Sequence, residues 1–95
     1  MTKITFKKLI LDDLKAQGRK DIADKIFSVK YKSFSGGDSV DVYARNLTDA
    51  EYTFVENLLY QYQDGYFDSM QDMYVYDREN KKLRTAKYLF VRNEN

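Results

Sequence analysis

The residues of this chain with usable chemistry are carboxylates and rings. Asp64, Asp68, Asp72 and Asp77 punctuate the stretch DGYFDSMQDMYVYD, with Tyr66, Phe67, Met70, Met73, Tyr74 and Tyr76 between them. Clustered carboxylates suit a hard divalent cation or general acid–base work. Their spacing is not that of an EF-hand loop, and Gly65 stands at the wrong place for one. The chain has no His and no Cys. That removes the commonest general base, thiol nucleophiles, thiolate metal sites and disulfides. A hydrolase built on carboxylates alone needs a cleft, and a 95-residue chain has little spare volume for one. The expectation is a non-enzymatic protein with no catalytic residue, metal or cofactor, in which Asp68 and Asp72 cap backbone donors of an irregular turn or sit in solvent.

Two further patterns carry recognition chemistry. Lys30, Lys32, Arg84, Lys87 and Arg92 lie on expected strands close in sequence to Tyr31, Tyr43, Tyr74, Tyr88 and Phe90. Cations interleaved with rings on a sheet face can bind single-stranded nucleic acid, the rings stacking on bases while the cations follow phosphates. The structural alternative is a half-buried sheet whose outer face is shielded by Lys stems. Second, Asp49, Glu51 and Glu56 fall on an expected helix and Asp64, Asp68, Asp72 and Asp77 follow it. Carboxylates on a rigid element can enter a basic channel of another protein in place of nucleic acid. A solvated helix face explains the same charges. Ser35-Gly36-Gly37 lacks the Lys-Ser/Thr ending of a nucleotide-binding loop and reads as a hairpin turn.

Composition bounds these readings. Ninety-five residues fit one domain, 1–95, with a modest core. A hydrophobic content of 43% excludes a disordered chain. Nine Tyr and six Phe without Trp mean that rings fill much of the core. So many hydroxyls cannot all be buried with partners, so Tyr43, Tyr66, Tyr74 and Tyr76 are expected at the surface. Exposed Tyr beside Met is the make-up of a protein interface, with a host protein or a second copy of the chain as partner. The net charge of +1 hides a pattern: residues 1–32 carry nine Lys/Arg against four Asp, residues 38–77 nine Asp/Glu against one Arg, and residues 78–95 six Lys/Arg against two Glu. No apolar run reaches membrane-spanning length and the N-terminus is too polar for a signal peptide. A soluble cytoplasmic protein with no membrane partner is therefore expected.

Periodicity sets the elements that must hold these residues. Phe6, Leu9, Ile10 and Leu14 mark one face of a helix from Thr5 to about Gln17, capped by Thr2 or Thr5 and stopped at Gly18. Arg19–Lys25 adds a helical turn with Ile22 and Ile26 facing the core. Phe27, Val29 and Tyr31 alternate with Ser28, Lys30 and Lys32. Val40, Val42 and Ala44 alternate with Asp41, Tyr43 and Arg45, and the Gly-Gly between predicts an antiparallel hairpin. Thr48 and Glu51 form a capping box for a helix from Asp49 to about Gln63, with Tyr52, Val55, Leu58, Leu59 and Tyr62 on one face and Gly65 as its stop. Tyr66, Phe67 and Met70 are placed in a loop, Met73–Tyr76 in a third strand, Asp77–Lys82 in a hairpin loop, Leu83–Arg92 in a fourth strand and Asn93–Asn95 in a frayed tail. The expected architecture is α+β: α-β-β-α-β-β, two helices packed on one face of a four-stranded antiparallel sheet.

The hairpin IFSVKYKSFSGGDSVDVY, then YQDGYFDSMQDMYVYD, then RTAKYLFVR, resembles one of the large polyvalent protein-associated domains of phages and conjugative elements. Its firmest pieces are Phe27-Ser28-Val29, Ser35-Gly36-Gly37, Gly65 through Phe67-Asp68 with Met70, Asp72 and Tyr74, and Arg84-Thr85-Ala86-Lys87-Tyr88; Ser69 stands where that pattern has Gly. The resemblance implies a mobile-element setting and counter-defence surroundings, and brings no catalytic residue. Joined to the charge pattern, it gives the expectation of a small phage accessory protein that inhibits a host nucleic-acid-handling or defence protein, for example a CRISPR effector. The contact would be Asp49, Glu51, Glu56, Asp64, Tyr66, Phe67, Asp68, Met70, Asp72, Tyr74 and Tyr76. The alternative is direct nucleic-acid binding through Lys30, Lys32, Arg84, Lys87 and Arg92.

Overall fold

The computed structural model describes residues 5–77, 79, 80 and 82–94. The alternative cap Thr2, Arg78 and Lys81 of the expected loop, and Asn95 of the expected tail lie outside them.

Helix α1, Phe6–Ala16, starts as expected. The Thr5 hydroxyl accepts the Lys8 N–H, and Phe6, Ile10 and Leu14 bury one face. Gly18 follows in the left-handed region at φ 75°. A single turn, α2 at Lys20–Ala23, buries Ile22 and Ala23. Strands β1, Ile26–Phe34, and β2, Gly37–Arg45, form the antiparallel hairpin, with Ser35-Gly36 as its two-residue turn. The positive φ falls on Gly37, at 137°.

Helix α3, Asp49–Tyr60, carries the full capping box: Thr48 accepts the Glu51 N–H and Glu51 accepts the Thr48 N–H. It stops before Gln61, so Gly65 does not end it. Gly65 opens β3, Gly65–Asp68, which pairs antiparallel with β4, Met73–Tyr76. Tyr66 and Phe67 are therefore in a strand and not a loop, and only Met70 keeps its expected place in the turn. The last strand, β5, is Tyr88–Glu94.

The expected single four-stranded antiparallel sheet does not form. The fold is α+β with a three-stranded sheet of order β1-β2-β5 and a separate two-stranded sheet β3-β4. β5 runs parallel to β2. Antiparallel neighbours can be joined by a tight turn, whereas parallel neighbours need a long crossover. Here α3 is that crossover helix, and β3–β4 is inserted between it and β5. β4 and β5 belong to different sheets, so they are not the two arms of the expected hairpin. Described residues between them contact the end of α3: Asn80 Nδ2 donates to the carbonyls of Gln61 and Gln63, and Ala86 exchanges backbone bonds with Tyr62 and Asp64. Leu83–Lys87 is outside β5, and Ala86 is fully buried in an isolated bridge to Gln63. At the other end Asn93 is no frayed tail, since its side chain both accepts from and donates to the Leu47 backbone.

One core joins the helices to the inner face of the three-stranded sheet. Ile10, Leu14, Ile22, Val40, Val42 and Val55 are wholly buried, with Leu58, Leu59 and Tyr62 beside them. Val40, Val42 and Ala44 alternate inward as expected. β1 departs from its expected phase only at Phe27. The register shifts between Ile26 and Ser28, leaving Phe27 as an extra residue. Ile26, Val29 and Tyr31 therefore pair with the inward positions Ala44, Val42 and Val40, while Phe27 is sent to the other face. Polar staples close the periphery. The Tyr62 hydroxyl donates to Asp13 at 2.8 Å, and Lys82 pairs with the same carboxylate at 3.2 Å. Burial and the Asp13 carboxylate push the Tyr62 phenol well above its usual value. Burial also acts to raise Asp13, but hydrogen bonds from Gln17, Tyr62 and Lys82 outweigh it and hold that carboxyl below its ordinary range.

Candidate functional site

Two surfaces collect the large apolar side chains that this chain leaves exposed. The first is the β3–β4 hairpin. Pairing of Gly65 with Tyr76, Tyr66 with Val75, Phe67 with Tyr74 and Asp68 with Met73 puts Phe67 and Tyr76 on one face and Tyr66 and Met73 on the other. Tyr66, Phe67, Met73 and Tyr76 are between 51% and 62% exposed, and Met70 at the tip is 96% exposed. Gly65 allows this hairpin to close. A Cβ there would collide with the Val75 carbonyl oxygen and lie 2.9 Å from the Tyr76 Cα. It would also meet the Tyr74 ring, which covers the glycine and stands edge-on to Tyr76 at 5.1 Å. The Tyr74 hydroxyl donates to Asp64, and burial together with that carboxylate raises the phenol far above its usual value.

The aspartates here serve the turn. Asp68 Oδ1 accepts the N–H groups of Met70 and Gln71, and Asp72 takes the left-handed conformation at φ 51°. Asp64 is engaged by Tyr74. Glu51 is 9% exposed and holds Lys25 Nζ at 2.7 Å and the Thr48 N–H at 2.9 Å. Those two partners, Lys25 first, hold its carboxyl below the ordinary value. Glu51 is therefore no member of a partner-facing surface, and the acidic strip read from the sequence is broken. Asp49 and Glu56 remain exposed on α3. Among the described residues no three acidic groups converge on a site that could hold a metal ion. From the expected partner set the fold brings Tyr66, Phe67, Asp68, Met70, Asp72, Tyr74 and Tyr76 onto one hairpin, and of its rings and methionines it exposes Tyr66, Phe67, Met70 and Tyr76. Met73 joins them, and the sequence marked it only as a strand residue.

The second surface is the outer face of the three-stranded sheet. Register puts Lys30, Lys32 and Phe34 of β1, Asp41, Tyr43 and Arg45 of β2, and Tyr88, Phe90 and Arg92 of β5 on it. Phe34, Tyr88 and Phe90 form a row with ring centroids 6.2 and 6.5 Å apart and nearly parallel planes. Phe27 joins Tyr43 at 6.2 Å. Cations lie over these rings: Lys30 over Tyr43 at 5.3 Å, Arg45 over Phe27 at 4.7 Å and Arg92 over Phe90 at 5.3 Å. Arg92 is also paired with Asp41, and Arg45 with Glu94.

Of the expected nucleic-acid set, Lys30, Lys32 and Arg92 share this face. Lys87 sits at its rim, bonded to the Gly36 carbonyl and reaching both Tyr88 and Tyr74. Arg84 does not join them; it lies over Phe6 and Tyr31 on the helix side. Tyr31 belongs with it, stacked on Phe6. The sequence reading missed Phe27, Phe34 and Arg45 as members of this face. The bulge hid the first. The other two were recoverable from strict alternation of β2 and from the two-residue turn. Of the tyrosines expected at the surface, Tyr66 and Tyr76 are exposed, whereas Tyr43 and Tyr74 are half-buried.

Comparison with protein-family models, with curated proteins and with solved structures finds no match for this chain. No helix among the described residues is long and apolar enough to cross a membrane.

Proposed function

We propose that this protein is a non-catalytic binding module whose β3–β4 hairpin inserts apolar side chains into a groove on a partner protein. One observation carries the reading: five large apolar residues stand more than half exposed on one short hairpin, with Met70 almost fully in solvent. Tyr, Phe and Met are enriched at the cores of protein interfaces, Tyr is among the residues that dominate binding energy there, and a partner that covers these side chains gains the free energy of their burial. The acidic component is smaller than the sequence suggested, since Glu51 and Asp64 are engaged within the fold. A phage or mobile-element setting, with a host nucleic-acid-handling or defence protein as target, rests on the resemblance of Phe27-Ser28-Val29, Gly65–Asp68 and Arg84–Tyr88 alone. It makes bacterial host proteins the first to try.

The row of rings and cations on the outer sheet face favours a second reading, direct binding of single-stranded nucleic acid. Its weakness is that the cations of Arg45 and Arg92 are matched by Glu94 and Asp41. One set of variants separates the two. Tyr66→Ser with Phe67→Ser strips the hairpin; Phe34→Ser with Phe90→Ser strips the sheet face. Each protein, immobilised, is exposed to a host lysate and separately to labelled single-stranded DNA and RNA at two salt concentrations. A captured protein lost only with the hairpin variant supports the first reading. Salt-sensitive nucleic-acid binding lost only with the sheet-face variant overturns it in favour of the second.

A further inference from the structure

The three-stranded sheet ends in two edges that differ in character. β1 is defended as edge strands usually are: it has the bulge at Phe27 and exposed Lys30 and Lys32. β5 has no bulge and carries its exposed charges, Arg92 and Glu94, only in its second half, while its centre reads Leu89-Phe90-Val91. The direction of its backbone groups follows from one bond. The Glu94 carbonyl accepts the Asn46 N–H, so Glu94 is a residue that bonds to β2 in this parallel ladder. Residues in step with it, Tyr88, Phe90 and Arg92, bond inward too. Leu89, Val91 and Asn93 consequently turn their N–H and C=O groups away from β2. No other strand of the described residues lies along that side. The edge is closed only at its start, where Gln63 bridges to Ala86 and its side chain donates to the Lys87 carbonyl. Beside the open part runs a groove of about 370 Å³, walled by Tyr52, Glu56, Leu59 and Tyr60 of α3.

We propose that a second copy of this chain fills that edge, β5 pairing antiparallel with its equivalent about a two-fold axis at Val91 to give a six-stranded sheet. The sequence of β5 is self-complementary in this register. Val91 meets Val91 and Leu89 meets Asn93 of the second copy, and these are the outward-turned residues, so each pair can exchange backbone hydrogen bonds. On the outer face Arg92 comes opposite Phe90 of the second copy, repeating across the axis the contact that the two make within one chain. Tyr88 comes opposite Glu94, giving the phenol a carboxylate. On the inner face Leu89 and Val91 of the second copy enter the groove beneath α3. Moving the axis to Leu89 would require the Lys87 carbonyl, which Gln63 already occupies. The backbone pairing uses no residue of the β3–β4 hairpin, so it is tested independently of the function proposed above.

The test uses the unmodified protein. Sedimentation across a wide concentration range is expected to show a monomer passing to a dimer. Over the same range amide exchange at Leu89, Val91 and Asn93 slows by roughly tenfold or more, while Phe90 and Arg92 are protected throughout by β2. The replacement Val91→Pro removes an outward donor without taking a bond from β2, so the variant is expected to stay monomeric. If it fails to fold, the exchange pattern of the unmodified protein still decides. A monomer at every concentration overturns the proposal, as does a dimer whose concentration-dependent protection falls on β1 or on the β3–β4 hairpin.

Discussion

The two sheets of this molecule contrast in where their apolar residues go. The three-stranded sheet sends Val40, Val42 and Ala44 into a core shared with α1, α2 and α3. The two-stranded sheet buries a glycine, half-buries Tyr74 and Val75, and leaves Tyr66, Phe67, Met73 and Tyr76 in water. An isolated two-stranded sheet is marginal by itself. This one is held by the fit of the Tyr74 ring over Gly65, by the Tyr74–Asp64 hydrogen bond and by the Asp77 N–H donated to the Asp64 carbonyl. The contrast teaches that apolar content alone does not mark a core. What matters is whether a second layer lies against the strand. Stability belongs to the first region, and the second is free to specialise in contact.

The largest blow to the core region comes from Leu14→Ala. Leu14 is fully buried, and such truncations cost about 2–5 kcal/mol through lost transfer energy and a residual cavity. Urea unfolding should lose that amount, with hairpin and core melting together because the hairpin has no stability of its own. A hairpin that outlives the core would break the comparison. Gly65→Ala comes next, at about 1–3 kcal/mol for an overpacked site. Its signature should be regional: amides of β3 and β4 lose exchange protection while those of β2 keep it. Equal loss in both regions would mean that the two sheets fold as one unit.

Thr48→Ala removes the cap of α3 and should cost about 1 kcal/mol, read as a shift of the urea midpoint. The acid limb follows from the same motif. Glu51 is held below its ordinary value of 4.5 when folded, chiefly by Lys25. A carboxylate lowered on folding adds stability at pH above its unfolded value. That contribution is lost as pH falls from about 4.5 through the folded value. The stability of Glu51→Gln should therefore fall less steeply over that window than that of the unmodified protein, and parallel curves would refute the assignment. The smallest effect on stability belongs to Phe67→Ser with Met70→Ser, expected to stay within about 0.5 kcal/mol per site because neither side chain is buried. A larger loss would show that the hairpin tip packs and is not reserved for contact.

Much of this fold was legible in the chain. The apolar spacing of Phe6, Ile10 and Leu14 specified α1, the Thr48–Glu51 pair specified the start of α3, and the alternation of Val40, Val42 and Ala44 after a Gly-containing break specified the first hairpin, although its turn is Ser35-Gly36 and Gly37 opens β2. These are local signals. Each depends on contacts within one turn of helix or across one tight turn, so neighbouring residue types suffice to encode them. The surface was legible only as composition: rings and methionines between Gly65 and Asp77 announced an apolar segment, but not which face would be covered. Three things were decided by tertiary structure alone. β5 chose β2 as its neighbour and ran parallel to it, because strand partnership depends on where α3 returns the chain. The bulge at Phe27 put that ring on the outer face and Ile26 on the inner one, while Val29 and Tyr31 kept their expected side, because the extra residue shifts the register only between Ile26 and Ser28. Glu51 and Asp64 left the acidic surface because Lys25 and Tyr74, distant or across a turn in sequence, arrived to bind them. Local propensity sets elements; long-range contact sets which of their faces meet solvent.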